Sequence, residues 1–480
     1  MDNEPTESAS KTPKIATFVA IQVVLLLWWA ALYPGLFSRD SVLYLSHTVA
    51  GPWISDHSVL YDSLLWLSFR FTGDIALVTL LQTTAMAAAI TVLAEALKAM
   101  GAPKRWTTGL AVLLPFLPPV GAFSVALWKD VPFSICALLI AAVCARIAAD
   151  RSVTRLRLVA LGLLFTALGL FRANGFLVVI LAVIVLLVVL KEQRILLAVV
   201  GVAASAIPLM LNNLVFPHVG IAAPTKTYVY HTAFGDIAVA FAEHPELFDD
   251  RDTTLLASVA PLNRWTKGGT CYTINPLIWR ANFSWQQADA HAGELLDLWR
   301  RLLIKDPGEV IKARLCRGSI AWKLAEDESA MGGDTYRFSL LPNADTYVGP
   351  GKVTDFPGRA VVYSLRPLSD NLHQVVRSWL DLWLVKSVDW LAWRGALWSY
   401  LSYLAVALAA WSLRNRYVVG VAAIVAGQQL AILANISAQD YRYMASPIFI
   451  GFLLLPLLVS GAWRLGTARR TELEPQTAAS

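Results

Sequence analysis

The chain has 480 residues, 56% of them hydrophobic and only 15% charged, with 18 Trp, and its mean hydropathy is +0.54. A water-soluble globule could not keep so much apolar surface from solvent, so composition places the chain among polytopic membrane proteins. The net charge of +6 does not point to nucleic acid, because the basic residues recur between apolar runs, where they act as topology signals.

Residues 1–14 read as a polar, disordered cytoplasmic tail. The apolar run 15–32 is long enough to cross a bilayer at about 1.5 Å rise per residue. It exceeds a signal-peptide core and no small-residue cleavage signature follows, so it is kept as a span. Pro34 and Gly35 end it, and an acid, Asp40, follows a few residues past the membrane surface. Two weaker segments, 41–50 and 57–71, are separated by Gly51, Pro52 and Trp53, and their length and mixed polarity suit helices lying along the interface. Gly73 breaks the chain before 75–99.

Further spans read as 106–127, 131–149, 156–171, 175–190 and 195–215, and after a long polar stretch as 391–413, 417–436 and 444–463. The expectation is an all-α membrane protein of about ten crossings. It has an N-terminal transmembrane module (15–215) whose first outer loop is 34–74, an outer lobe (216–388), C-terminal spans (389–465) and a cytoplasmic tail (466–480). In the lobe, 285–304 and 309–325 read as helical, whereas 331–359, rich in Gly, Pro, Asp and Tyr, reads as an irregular loop. Lys226, His231 and Asp236 are polar residues near its start that could face the membrane part.

Charge in the connections sets the orientation. On the N-terminal side they carry Lys11, Lys14, Lys98, Lys104, Arg105, Arg146, Arg151, Arg155, Arg157, Lys191, Arg194, Arg414, Arg416, Arg464, Arg469 and Arg470. The short connections on the opposite side carry only Arg39, Arg70, Lys129, Arg172 and Arg442. Both termini are therefore expected in the cytoplasm and 216–388 outside a cell membrane.

The few opposite-side charges fall in polar clusters: Arg39 with Asp40; Asp56 with His57; Trp128, Lys129 and Asp130; Arg172 with Asn174; and Gln439, Asp440, Tyr441 and Arg442. If the spans form one bundle, these clusters line a common cavity at the outer face. Ionisable residues at membrane depth cost about 2.5–3.5 kcal/mol each on insertion scales, so a gathering of them asks for a function. Taken singly, each also has a plainer role. Asp40 with Ser41, and Asp130 before Pro132, suit helix N-termini, and Arg172 and Arg442 suit snorkelling to headgroups.

In their order and common sidedness these clusters resemble the GT-C superfamily of polytopic glycosyltransferases, especially protein O-mannosyltransferases and their bacterial relatives. The residues that carry the resemblance are Asp40 soon after the first span, the pair Asp56, His57 opening the second loop helix, Trp128 to Asp130 opening a later span, Arg172 to Gly175 between two spans, and Arg442, Tyr443 with Pro447 at the last. The resemblance implies a GT-C-like bundle with interfacial helices in the first outer loop. It also implies inverting transfer of a sugar from a polyprenyl-phosphate donor to an envelope acceptor, within membrane lipid. Asp40 would be the base that takes the acceptor proton, with His57 on the acceptor side. Arg172 and Arg442 would clamp the departing phosphate through forked contacts, with Lys129 as a point charge. Asp56, Asp130, Asn174, Gln439 and Asp440 would orient these groups or bind sugar hydroxyls.

The chain departs from that family pattern in having one acid after the first span, preceded by Arg39, and in following His57 with Ser58 and Val59 rather than prolines. These departures leave metal use and a protein-hydroxyl acceptor open. The other function class with a polar cavity and about ten spans is a transporter or flippase of lipid-linked saccharides, but no internal repeat is seen and the charges sit at span ends. No Walker-type loop, zinc-site cysteine spacing or Gly-x-Ser-x-Gly elbow occurs. Of the four cysteines, Cys136 and Cys144 fall within one span and read as packing residues. Cys271 and Cys316 both fall in the outer region, where an oxidising compartment predicts a disulfide.

Overall fold

The computed structural model describes residues 12–49, 51–325 and 364–473. The expected loop 331–359 and most of the expected N-terminal tail lie outside the described residues, as do 474–480. Among the described residues the fold is all-α, with only isolated bridges in place of strands. Helix α1 (Thr12–Ala31) leads to α2 (Arg39–Val49), α3 (Val59–Thr72) and α4 (Ala76–Ala99). A broken pair follows, α5 (Lys104–Leu113) and α6 (Pro118–Ser124), and then α7 (Asp130–Asp150), α8 (Arg155–Phe171), α9 (Gly175–Val189) and α10 (Arg194–Met210). Helices Ala396–Ser412, Ala423–Ala434 and Ala445–Leu473 close the chain, so the tail expected from 466 is helical as far as Leu473.

Among the described residues six helical stretches are long and apolar enough to cross a membrane: Lys14–Ala31, Ala76–Ala99, Asp130–Asp150, Lys191–His218, Arg416–Ala434 and Tyr441–Arg464. The expected span 106–127 is instead a pair bent by 63°. Leu117 is extended between the two halves because the ring of Pro118 disfavours the helical conformation for the residue before it. The expected spans at α8, α9 and Ala396–Ser412 have 17, 15 and 17 residues, at most about 26 Å of helix against a hydrocarbon core of about 30 Å. Of the ten expected crossings, six are met by length and composition among the described residues, or seven with the bent pair.

The helices pack as neighbours α1 on α4, α4 on α7, α7 on α8, α8 on α10, α9 on Ala423–Ala434, and Ala396–Ser412 on the last helix. One apolar core runs through this bundle and a second, around Trp265, Phe234 and Phe283, fills the lobe. The lobe helices expected at 285–304 and 309–325 are Trp285–Ala290 with Ala292–Lys305, and Pro307–Arg317. Cys271 and Cys316 are disulfide-bonded with Cα atoms 5.6 Å apart, and Cys136 and Cys144 are buried free thiols in α7.

Asp236 does not face the membrane part. It is buried in the lobe, where it accepts from Trp299 Nε1 at 2.9 Å and pairs with Arg314 at 2.6 Å and Arg317 at 3.0 Å. Lys226 is exposed.

The lobe also grips the approach to the last helix. Ile274 N donates to Ser437 O at 2.9 Å, Thr232 Oγ1 to Asn435 Oδ1 at 2.8 Å, and Arg314 Nη1 to Ala434 O at 2.6 Å.

Candidate functional site

The site is assembled from backbone stitches before any charge is placed. After α1, Leu36 N donates to Val125 O at 3.0 Å and Leu127 N to Leu36 O at 2.9 Å, tying the first loop to the segment between α6 and α7. Gly35 makes the approach feasible, since a Cβ there would meet Thr79 Cγ2 at 2.7 Å. Side chains complete the join: Ser41 Oγ donates to Leu127 O at 2.8 Å and Trp128 Nε1 to Ser38 Oγ at 2.6 Å. Asp40 is thereby delivered next to Lys129 and Asp130, and the third partner arrives from the far end of the chain. Tyr441, buried against Phe123 and Trp393, donates through its hydroxyl to Pro119 O at the α5–α6 break, and this fixes Arg442 beside the same loop.

Three acids and three cations meet there. Arg442 Nη1 contacts Asp40, its Nε lies 2.8 Å from Asp440 Oδ2, and its Nη1 lies 3.7 Å from Asp130 Oδ2. Arg172 Nη1 lies 3.0 Å from Asp130 Oδ1. Aromatic faces hold both guanidiniums in place: Arg172 is 4.5 Å from the Tyr443 ring centroid, and Arg442 is 5.1 Å from Tyr443 and 5.3 Å from Trp128. Lys129 donates to Tyr44 OH at 3.1 Å. Burial grades the cluster. The side chains of Asp40 and Asp440 are 27% exposed, Arg442 12%, Arg172 7% and Asp130 1%.

Neither acid behaves as a simple helix cap. Ser38 takes the first-turn contacts of α2, and the Asp40 carboxylate goes to Arg442. No side chain caps α7, and Asp130 faces the two arginines. Asp440 does cap, accepting from Arg442 N at 3.1 Å while holding the same residue's guanidinium. Burial opposes ionisation of Asp40, but the neighbouring charges of Arg442, Lys129 and His57 overcome it and hold the carboxyl well below its ordinary range. Asp440 goes the other way, pushed up to about 6 by burial and by the like charges of Asp130 and Asp40, against the pull of Arg442. Lys129 is lowered by burial, with Asp40 and Asp130 opposing.

His57 stands just outside α3, not at its opening: Ser58 is the N-cap, accepting from Tyr61 N at 3.1 Å. Asp56 Oδ1 lies 3.0 Å from His57 Nδ1, and the His57 ring meets Tyr44 edge-on at 5.3 Å. Two expected members are elsewhere. Gln439 Nε2 donates to Ser319 Oγ at 2.8 Å and so serves the lobe contact, and no polar contact joins the Asn174 side chain to the cluster among the described residues.

Three participants escape a reading by clusters. Tyr44 carries Lys129, and His47 Nδ1 lies 3.3 Å from the fully buried Asp62 and 3.9 Å from Asp56. Asp40, Tyr44 and His47 stand at i, i+4 and i+7 on α2, a one-face spacing visible in the sequence. Tyr228 of the lobe is the third. Burial, together with the negative charges of Asp56 and Asp40, raises its phenol, so it keeps its proton, and its ring stacks on His231 at 5.1 Å. The chain matches no protein-family model, no curated protein and no solved structure.

Proposed function

We propose that the chain is a cell-membrane glycosyltransferase that moves a sugar, with inversion, from a polyprenyl-phosphate donor to an acceptor in the envelope, with Asp40 as general base. The observation that carries this reading is the contact of the partly exposed Asp40 carboxylate with Arg442 inside a cluster of Lys129, Asp130, Arg172 and Asp440. A base and a forked cation lie side by side at the mouth, backed by charges sealed from water. The bent pair and the three shorter helices complete ten crossings in this arrangement, with both termini cytoplasmic. The disulfide of the lobe and the sparse cations on its side favour that orientation.

In the proposed reaction the acceptor hydroxyl attacks the anomeric carbon while Asp40 takes its proton. The bond from that carbon to the phosphate oxygen breaks, and the electron pair leaves with polyprenyl phosphate. Arg442 and Lys129 meet the charge that grows on the leaving phosphate. Arg442 contacts Asp40, and a donor phosphate offers the guanidinium a further anion, which releases the carboxylate for its work as a base. Arg172, nearly sealed, acts through Asp130 as a positioning residue, and Asp56 orients His57 on the acceptor side.

The test offers the purified protein labelled polyprenyl-phosphate sugars and scores release of polyprenyl phosphate with envelope acceptors. Asp40→Asn should lower turnover by about 10²–10⁴-fold, the usual share of a general base, while donor binding is kept. Near-parental turnover in that variant overturns the assignment, and lipid movement in liposomes without transfer would favour a transporter.

A further inference from the structure

Helix Asp370–Trp383 has three faces where a helix at a protein surface needs two. At 3.6 residues per turn, Leu372, Val376, Leu380 and Trp383 share one sector, which packs into the bundle core. Asp370, Gln374, Arg377 and Asp381 share a second, which is polar and exposed. Val375, Trp379 and Leu382 share a third, which is apolar and yet 66%, 39% and 65% exposed. A helix in water has no use for the third sector. A helix lying flat in a bilayer interface does: one side meets the protein, one meets water and headgroups, and one meets acyl chains.

The position of the helix names the surface it meets. Leu368 N donates to Ala30 O at 2.9 Å and His373 Nδ1 lies 2.9 Å from Ala31 O, so the helix starts against the last turn of the first membrane-crossing helix. Trp379 Nε1 donates to Phe116 O at 2.8 Å, and Phe116, at the bend of the α5–α6 pair, is itself 45% exposed. The bare sector therefore continues the outward apolar surface that α1 presents through Val19, Val23 and Leu27. Trp379 and Trp383 meet edge-on here with ring centroids 5.7 Å apart, as indoles gather at a membrane boundary.

We propose that Asp370–Trp383 is an interfacial anchor seated in the leaflet boundary at the Asp40 end of the bundle, with Val375, Trp379 and Leu382 facing acyl chains. This inference rests on the membrane fold and not on the glycosyltransferase reading. It gives the segment before the helix a purpose as well. Arg366 N donates to Tyr33 O at 2.7 Å and the Arg366 guanidinium pairs with Asp74, so the anchor is tied to both ends of the first outer loop and sets the depth at which Asp40 stands.

The experiment uses the full chain in phosphatidylcholine–phosphatidylglycerol nanodiscs, with Cys136 and Cys144 changed to Ala and a nitroxide placed at Val375→Cys, Leu382→Cys, Arg377→Cys or Asp381→Cys. Collision with oxygen, which concentrates in acyl chains, is compared with collision with a water-soluble nickel chelate. A several-fold excess of oxygen over nickel at 375 and 382, with the reverse at 377 and 381, is the expected result. Nickel access at 375 and 382 equal to that at 381 means the sector faces water, and no access by either agent means protein covers it; each overturns the proposal. Leu368→Cys, 59% exposed ahead of the helix, supplies the reading should a helical variant fail to elute as a single folded species.

Discussion

Replacing Arg442 by Gln keeps a long polar side chain and removes one positive charge from contact with Asp40, Asp440 and Asp130. Removing one partner of a buried ion pair costs about 3–5 kcal/mol, because the other charge is left without compensation. Here the carboxylates of Asp40 and Asp440 keep 27% of their side-chain surface and can be partly rehydrated. Asp130, at 1%, cannot, but retains Arg172 at 3.0 Å. The expected loss is therefore at the lower end, about 3 kcal/mol, on the order of a hundredfold in the folded population.

If the loss comes from stranded negative charge, Asp40→Asn in the Arg442→Gln background should return about 1 kcal/mol, and the two changes should couple within the range of about 0.5–3 kcal/mol seen for residues in contact. The buried thiols of Cys136 and Cys144 report the outcome, since both lie in α7, the helix that Asp130 opens. A thiol-reactive dye followed during heating in detergent should react at a lower temperature in Arg442→Gln and at an intermediate one in the double variant. Thiols protected to the parental temperature in Arg442→Gln, or strictly additive shifts, would refute the electrostatic account.

Arg172→Ala should weaken donor binding less than Arg442→Ala does, because Arg172 acts through Asp130; equal losses in a binding titration would make it a direct clamp. The raised Asp440 carboxyl stabilises the fold fully below its ordinary value of 3.8, and that contribution is lost as pH rises through about 6. With part of the side chain in water the stability effect stays below about 1 kcal/mol, so the pH profile of transfer is the readout, and Asp440→Asn should remove an inflection near that pH. Alkylation of the denatured, non-reduced protein should label only Cys136 and Cys144. Reduction of the Cys271–Cys316 bridge, at a sequence separation of 45, should cost about 4 kcal/mol on the chain-entropy model, measured as an earlier unfolding of the lobe.

The apolar runs and the sidedness of the charges are local properties, and for that reason they are legible in the sequence. The same two signals place Asp40, Lys129, Asp130, Arg172 and Arg442 at one end of the bundle, where the structure brings Asp40, Asp130, Arg172 and Arg442 into contact and sets Lys129 on Tyr44 of the Asp40 helix. What is not legible depends on contacts between distant segments. Gln439 reads like a neighbour of Arg442 but turns to Ser319 because the lobe pairs with the chain at Ile274 and Ser437. Tyr228 has no local mark at all, since nothing in its own segment shows that it will stand near Asp40 and Asp56. Span number differs for another reason: the runs read at 156–171 and 175–190 are α8 and α9 almost to the residue, but at 17 and 15 residues these helices are shorter than a bilayer crossing usually needs.

The charge balance of the cluster bears on how a donor would be received. Asp40, Asp130 and Asp440 face Lys129, Arg172 and Arg442, so the six side chains together are close to neutral. A lipid phosphate adds negative charge to a place where burial already disfavours it, and the excess must be relieved by a cation or a proton. The three cations only balance the three carboxylates, whichever anions they touch, which leaves protonation. Asp440 is the carboxyl whose surroundings favour taking the proton, whereas Asp40 is held ionised. A division of labour follows for the proposed reaction: the acid beside Arg442 that stays charged is fit to be the base, and the acid on the other edge of the same guanidinium is fit to absorb the charge that the donor brings.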